Sequence, residues 1–220
     1  DVMLLMLKLP KTDRLQFLAG QYINFLLKDG RHRSFSLANA PHIDDALELH
    51  IRHINNGSFT GEVFDKMKIN DIMRIEGPYG QFFLRENSER PIIFMAGGTG
   101  FAPVKSIIEH ALAAGIKRPM YLYWGVRATE DLYMNELAQS WATKYSHIHY
   151  IPVLSEPEAD NKFRTGYVHE AILADFPDLS SYEIYASGPP AMVYAGRDAF
   201  AAQGLDLDHY FSDAFEFNKD

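Results

Sequence analysis

The second half of the chain alternates apolar strands with helices, and this alternation constrains the fold more than any other feature. It begins with the apolar run Pro91–Ala96 and a helix predicted over Ala102–Ala114. The later elements repeat this order, with strands over Met120–Gly125, His147–Leu154 and Tyr182–Ala186 and helices over Leu132–Lys144, Tyr167–Phe176 and Pro190–Gln203. Strands separated by helices of about 10–15 residues form a parallel sheet, which binds ligands beyond the carboxyl ends of its strands.

The first part of the chain has the pattern of short antiparallel strands. Strands are predicted over Tyr22–Lys28, which ends at the hairpin signal Asp29-Gly30, and over Arg31–Ala38. A further strand is predicted over Asp71–Glu76, followed by a turn at Gly77–Gly80. Several short strands with turn signals between them predict a small antiparallel barrel.

The segment Ala46–Ile54 shows the clearest period-two alternation. Its residues divide between an apolar and a polar face, with Leu47, Leu49 and Ile51 on the first and Glu48, His50 and Arg52 on the second. This pattern predicts a half-buried strand.

A change of pattern between the two halves predicts two domains. Residues 85–90 are polar and charged, without apolar periodicity, and indicate a linker. We therefore predict a β-barrel domain over residues 1–86 and an α/β domain over residues 87–220.

Composition excludes several classes of protein. The net charge of −8, from 21 Lys+Arg and 29 Asp+Glu, argues against nucleic-acid binding. The chain has no cysteine, so neither a disulfide nor a Cys-ligated metal site can form within it. No apolar run reaches the length of about 18 residues that a membrane helix needs. The nine histidines contain no H-E-x-x-H pattern. We expect a cytoplasmic protein without a metal site and without nucleic-acid or membrane partners.

The tetrapeptide Arg33-Ser34-Phe35-Ser36 is a candidate flavin site. A guanidinium can clamp a diphosphate through two hydrogen bonds. The ring of Phe35 can lie beside an isoalloxazine, and the Ser36 hydroxyl can donate to flavin N5. A surface strand with an isolated arginine is the alternative interpretation.

The turn Asn55–Gly57 leads to a short helix predicted over Ser58–Met67, and Asn56–Thr60 is a second candidate site. Gly57 opens this helix, and Ser58 or Thr60 caps it. Free N–H groups and the positive end of the helix dipole suit a diphosphate, although an ordinary N-cap gives the same pattern. We group this turn with the end of the preceding strand, His50, Ile51 and Arg52.

Two glycine-containing segments follow strands of the predicted parallel sheet. Gly97-Gly98-Thr99-Gly100 leads to a helix that starts near Pro103, and Ser187-Gly188-Pro189-Pro190 stands at the same edge of the sheet. Glycine lets the backbone approach the pyrophosphate of a dinucleotide, whereas a plain βα turn needs no ligand. The aromatic and acidic end, Phe211–Phe217, either closes the core or covers a flavin ring.

In this order, the motifs resemble the ferredoxin–NADP reductase superfamily over essentially the whole chain. Within it, the chain is most similar to reductase components of oxygenases, CDP-deoxyhexose reductases and bacterial NAD(P)H–flavin reductases, through Tyr123–Gly125, Leu132–Met134 and Ser212–Phe215. The resemblance implies a flavoprotein oxidoreductase that passes hydride from NADH or NADPH to bound FAD. Its electrons would go on to an iron–sulfur or other acceptor.

The resemblance also implies residue roles. The FAD residues would be Arg33, Ser34, Phe35, Ser36, His50, Ile51, Arg52, Gly57, Ser58, Phe59, Thr60 and Phe215. The NAD(P) residues would be Gly97, Gly98, Thr99, Gly100, Pro103, Gly125, Arg127, Gly188 and Pro189. The catalytic residues would be Ser36, Ser187, Asp213 and Glu216. Ser187 stands where the family usually has a cysteine near nicotinamide C4, so we expect slower hydride transfer.

The choice of nucleotide and acceptor stays open at this point. Arg127 suits a 2′-phosphate and Glu130 and Asp131 suit a 2′-hydroxyl, with the balance toward NADH. The acceptor could be a two-iron two-sulfur ferredoxin domain upstream, since the chain begins without Met in a predicted strand, or a separate protein. The alternative functions are a flavin reductase that uses free flavin and a non-catalytic nucleotide sensor.

Overall fold

The computed structural model describes residues 1–10, 14–55 and 57–214, and its first part is antiparallel. The elements are β1 (Val2–Leu7), β2 (Tyr22–Leu26), β3 (His32–Ser36), β4 (Leu47–Arg52), α1 (Ser58–Asp65) and β5 (Ile75–Tyr79). β1 pairs with β4, and β2 lies between β3 and β5. A bridge between Leu37 and Leu49 joins the two sheets, which share one core around Ile23 and Phe25. The predicted antiparallel flavin-type domain is confirmed.

The strand predicted over Asp71–Glu76 is wrong, because β5 begins at Ile75. The Asp71 carboxylate accepts the N–H of Lys68 at 2.8 Å, and the Asp71 N–H donates to the Lys68 carbonyl at 3.1 Å. These two bonds close a turn that a strand cannot cross. Gly77 and Pro78, which were predicted to form a turn, lie inside β5.

β4 is buried on both faces, not on one as its alternation suggested. Leu49 and Ile51 lie in the barrel core, with no exposed surface. His50, on the opposite face, is only 4% exposed because the second domain covers it. The polar residues of β4 therefore face a polar interface between the domains.

The second part of the chain is a parallel sheet with helices. Its elements are β6 (Ile92–Gly97), α2 (Phe101–Ala113), β7 (Met120–Val126), α3 (Asn135–Lys144), β8 (Ile148–Leu154), β9 (Arg164–Thr165), α4 (Val168–Asp175), β10 (Glu183–Gly188), α5 (Pro190–Ala202) and β11 (Tyr210–Ala214). The strand order is β11-β10-β6-β7-β8-β9, with every pair parallel. The sequence did not predict β9, which has two residues, or β11, which was interpreted only as a tail.

Helices cover both faces of this sheet. Ile92 and Phe94 of β6 pack with α2 and α3, whereas Ile93 and Met95 pack with α4 and α5. The predicted fold class, an antiparallel domain followed by an α/β parallel-sheet domain, is confirmed, whereas the boundary at residues 86 and 87 stays a prediction. Among the described residues, no helix combines the length and apolar character that crossing a membrane requires.

Arg118 fixes the segment that connects the domains. Its guanidinium donates to the carbonyl oxygens of Arg85 (3.1 Å), Ser88 (3.0 Å) and Arg90 (3.2 Å), and to the Glu183 carboxylate (3.1 Å). Arg118 and Glu183 are 8% and 1% exposed. The polar segment predicted as a linker is therefore held against the α/β domain.

We expect Arg118→Leu to lower the free energy of unfolding by about 3 kcal/mol, because it leaves a buried carboxylate without its partner. Urea denaturation measures this loss. Arg197→Leu is the control, since the Arg197–Asp198 pair is exposed and its loss should cost less than about 0.5 kcal/mol. Equal losses in the two variants would show that Arg118 does not hold the linker.

Candidate active site

Two βα loops meet where the strand order of the sheet reverses. β6 and β10 are neighbours, and their loops, Gly97–Gly100 and Ser187–Pro190, border one crevice. A Cβ atom on Gly100 would stand 2.1 Å from the Ser187 carbonyl oxygen. One on Gly188 would stand 2.9 Å from a carbonyl oxygen of the first loop. The glycines that we predicted for approach to a pyrophosphate are therefore also required for packing between the loops.

A cavity of about 620 Å³ opens beside these loops. Six predicted NAD(P) residues line it: Gly97, Gly98, Thr99, Gly125, Arg127 and Pro189. Gly100, Pro103 and Gly188 belong to the loops and the helix behind this wall. The volume lies within the range of about 300–1,000 Å³ that is usual for small-molecule and cofactor sites.

Other parts of the cavity wall were missed from the sequence. They are Val126, Val153, Ser155, Gly166, Tyr167, Val168, His169, Ala191, Met192 and Ala195. Gly166 has a φ of 112° and stands between β9 and α4. A glycine between a strand and a helix was the signal used for the other two loops, so it could have located this wall as well.

Arg52 reaches this cavity from the barrel. Its guanidinium bonds to the carboxylates of Asp1 (2.9 Å) and Asp131 (3.0 Å) and lines the cavity beside Gly98. The sequence had grouped Arg52 with the flavin residues. Its guanidinium lies on the wall shared with the predicted nucleotide loop, and its assignment to the flavin stays a prediction.

Three of the four predicted catalytic residues converge at the boundary between the domains. The hydroxyl of Ser36, at the end of β3, donates to the Asp213 carboxylate at 3.2 Å. Asp213 on β11 pairs in register with Ser187 on β10. The Ser187 hydroxyl is fully buried and has no hydrogen-bond partner within residues 1–10, 14–55 and 57–214. Glu216 and Phe215 lie outside the described residues, as does Asn56.

Burial makes Asp213 a weak acid. It raises the pKa of the carboxyl from 3.8 to about 6, and the hydrogen bond from Ser36 offsets only part of this effect. The group therefore takes up and releases a proton close to neutral pH. A carboxyl with this pKa that accepts a hydrogen bond from a hydroxyl group can serve in proton transfer.

The predicted diphosphate elements of the barrel lie together. α1 begins at Ser58, as predicted, but its N-cap is Gly57 and not Ser58 or Thr60, and no side chain caps it. Arg31, two residues before the half-buried Arg33, donates to the Ser58 hydroxyl at 3.4 Å. The cationic side chain of Arg31 thus stands beside the positive end of the α1 dipole, which suits a diphosphate.

Several predicted FAD residues turn their side chains away from solvent. Phe59 lies in the barrel core, and the ring of Phe35 packs 5.5 Å from it. Thr60 does not cap α1; its hydroxyl accepts the Ile54 N–H at 3.2 Å. Both ring nitrogens of His50 are hydrogen-bonded within the chain. Any contact of these residues with a cofactor would use the backbone or, for the half-buried Phe35, the exposed part of the ring.

Two family models cover most of the chain. Residues 1–84 match the oxidoreductase FAD-binding domain, and residues 94–198 match the oxidoreductase NAD-binding domain. An NAD(P)H-flavin reductase from Aliivibrio fischeri is 37% identical over 208 residues, which are 91% of this chain and 87% of the relative. The chain belongs to the ferredoxin reductase family.

Other members of the ferredoxin reductase family match nearly the whole chain. CDP-6-deoxy-L-threo-D-glycero-4-hexulose-3-dehydrase reductase from Yersinia pestis is 45% identical over 215 residues, 98% of this chain. The chain spans 64% of that relative's length. The crystal structure of the Amycolatopsis cytochrome P450 reductase GcoB is 31% identical and superposes with a TM-score of 0.88, over 97% of this chain and 69% of that one.

The residues present fit the two cofactors of the ferredoxin reductase family. The glycine loops and the cavity offer a dinucleotide exposed backbone and a closed wall. The buried hydroxyl of Ser187, which has no partner among the described residues, and the weakly acidic Asp213 leave polar groups at the domain boundary for a flavin and a nicotinamide to use. Arg33 and the start of α1 supply the charge that a diphosphate needs.

We expect Asp213→Asn to stabilise the flavin-free protein in a pH-dependent way. Because the folded-state pKa is raised, the wild-type free energy of unfolding falls as pH rises from about 4 to about 6. Above about pH 6, ionisation of the Asp213 carboxyl lowers the free energy of unfolding of the wild type by about 2–3 kcal/mol. The asparagine variant cannot ionise and does not lose this stability. Urea denaturation at pH 4 and pH 8 measures the difference between the two proteins. A difference that is the same at both pH values would contradict the raised pKa.

Proposed function

We propose that this chain is the core of a reductase that transfers hydride from NADH to bound FAD and then passes electrons to a separate acceptor protein. The proposal is carried by the convergence of Ser36, Ser187 and Asp213 at the boundary between the FAD-binding and NAD-binding domains. Two hydroxyl groups and a protonatable carboxyl are groups that can orient two rings and manage a proton between them. We place the reaction in the cytoplasm, where NADH is available.

When bound, FAD supplies the ring that accepts hydride and later releases electrons. The chain binds and orients it. Arg33 and the first turn of α1 hold the diphosphate charge. The Asp213 carboxyl accepts the hydrogen bond of the Ser36 hydroxyl and so fixes the position of Ser36. The same carboxyl holds a proton up to about pH 6.

The nucleotide would lie along the crevice between the βα loops. Gly97–Gly100 and the start of α2 face its pyrophosphate, and Ser187 offers a buried hydroxyl to the nicotinamide. Because the loops are in backbone contact, the two binding elements cannot separate. Positioning of the two reacting rings is therefore the main contribution of the chain.

The surroundings of Arg127 favour NADH. Its Nε lies 3.8 Å from the Asp131 carboxylate, and its carbonyl oxygen accepts the N–H of Glu156. A 2′-phosphate at this end of the cavity would meet one exposed guanidinium beside the Asp131 carboxylate. A 2′-hydroxyl can instead donate to a carboxylate.

A flavin reductase that uses free flavin is the second candidate, because the Aliivibrio fischeri relative carries that name. The site for the FAD diphosphate at Arg33 and the start of α1 supports the first candidate, since a freely diffusing flavin does not require it. The acceptor is proposed from the Yersinia pestis relative, which is named as the reductase of a dehydrase. A ferredoxin domain or separate ferredoxin remains the expected first carrier.

We expect the purified protein to carry FAD at about one per chain and to reduce ferricyanide faster with NADH than with NADPH. Absorbance at the flavin band and steady-state kinetics measure the two properties. A colourless protein that is active only with added flavin would support the free-flavin reductase. A protein that is inactive with saturating flavin and either nucleotide would leave only the sensor interpretation.

We expect Ser187→Ala to raise the free energy of unfolding of the flavin-free protein by about 1–2 kcal/mol, because it removes a buried hydroxyl that has no partner in the described part of the chain. The same variant should reduce bound flavin about tenfold more slowly in stopped-flow measurements. Ser187→Cys should exceed the wild-type rate. Ser106→Ala is the stability control, because its buried hydroxyl donates to the Asn39 carbonyl at 2.7 Å and its loss should destabilise. Destabilisation by Ser187→Ala would contradict the proposal that the Ser187 hydroxyl is left for the nicotinamide.

A further inference from the structure

The polar face of β4 makes a continuous contact with the α/β domain. We call Glu48, His50 and Arg52 the seam residues. Each bonds to a different partner: Glu48 to Lys105 (3.0 Å), His50 to Tyr133 (2.7 Å) and Arg52 to Asp131 (3.0 Å). The three partners come from α2 and from the segment between β7 and α3. One strand of the barrel thus bonds to two separate parts of the other domain.

The contact between Glu48 and Lys105 is a buried ion pair. Lys105 is 5% exposed, and its ammonium also donates to the Ala38 carbonyl and the Glu109 carboxylate. Burial alone would raise the pKa of Glu48, but the hydrogen bond from His50 and the charge of Lys105 outweigh it and hold the pKa at about 2. The Lys105 ammonium bonds to Glu48, Ala38 and Glu109, so its three N–H donors are all used.

A single tautomer of His50 satisfies both of its neighbours. Nε2 lies 2.9 Å from the Glu48 carboxylate, which can only accept, so Nε2 carries the hydrogen. Nδ1 then accepts from the Tyr133 hydroxyl, which burial keeps protonated by raising its pKa. Burial also lowers the pKa of His50, which favours the neutral ring.

The seam ends at the nucleotide loop. The Tyr133 ring stands edge-on to Trp124, with centroids 5.3 Å apart. The indole Nε1 of Trp124 donates to the Gly98 carbonyl at 2.9 Å. Arg52 lines the cavity beside the same glycine. Two routes therefore connect β4 to Gly98, one through Tyr133 and Trp124 and one through Arg52.

We propose that the seam residues and Tyr133 are positioning residues that set the Gly97–Gly100 loop against the flavin-binding barrel. This inference rests on the proposed function, because positioning concerns the distance between two reacting rings. Buried ion pairs contribute little net stability compared with apolar packing. Their hydrogen bonds are directional, however, and specify one arrangement of the two domains. A misplacement of about 1 Å at a hydride-transfer site can cost about a hundredfold in rate.

The test compares Tyr133→Phe with Tyr150→Phe in the FAD-loaded full-length protein. Each change removes one buried hydroxyl that has one side-chain partner, His50 for Tyr133 and Asn135 for Tyr150, and Tyr150 is outside the cavity wall. We expect Tyr133→Phe to lower the limiting rate of flavin reduction about tenfold at saturating NADH. Its Kd for NADH should change less than twofold, and Tyr150→Phe should alter neither quantity.

A double-variant cycle with His50→Phe separates positioning from general damage. This change keeps a ring at position 50 and removes the acceptor for the Tyr133 hydroxyl, so the double variant should be no slower than the slower single variant. Additive rate losses, or a weaker Kd with an unchanged limiting rate, would overturn the proposal. Equal effects of Tyr133→Phe and Tyr150→Phe would do the same.

Amide hydrogen exchange gives a readout that does not depend on turnover. We expect Tyr133→Phe, but not Tyr150→Phe, to speed exchange in a peptide that contains Gly97–Gly100 by about tenfold. If the wild type with FAD is not reduced by NADH or NADPH, the proposed function fails, and the exchange result still decides whether the seam holds this loop. Unchanged exchange in Tyr133→Phe would overturn the proposal that the seam residues and Tyr133 position this loop.

Discussion

The backbone contact between the two βα loops is the constraint on which the rest of the structure depends. Gly100 and Ser187 approach so closely that no side chain fits between them. This contact fixes α2 and α5 around one crevice, and it places the carboxyl ends of β6 and β10 beside the cavity. Ser187 is therefore held at the end of β10, next to Asp213 on β11. The positions of the candidate catalytic groups follow from this packing.

Hydrophobic periodicity predicted most of the α/β domain, because its buried strands are continuous apolar runs and its helices are long. The errors arose where local pattern does not determine pairing. β5 was misplaced because the turn closed by Asp71 is a side-chain effect. β9 is too short to show a period, and β11 is recognisable as a strand only through its partner β10. The alternation in β4 was recognised, but the sequence does not show which part of the chain contacts its polar face.

The residues of the candidate site also divide into those that the sequence predicted and those that it missed. Residues of the glycine loops were predicted because glycine marks the backbone itself, and Ser36, Ser187 and Asp213 were predicted through resemblance. Lys105 and Tyr133 were missed because a lysine within an apolar helix pattern and a tyrosine after a strand carry no local signal of burial. The bond between Arg52 and Asp131 was also missed, because the sequence gives no indication of so distant a partner.

Two kinds of buried polar group meet at the domain boundary, and they differ in how well they are satisfied. In the seam, the groups of Glu48, His50 and Lys105 have protein partners, so these residues fix a geometry without reactivity. At the crevice, Ser187 lacks a partner among the described residues, and partial burial makes Asp213 a weaker acid. Such groups lower stability unless a ligand completes them. A satisfied network beside an unsatisfied one is the arrangement expected where one part of an interface sets a distance and the other performs the chemistry.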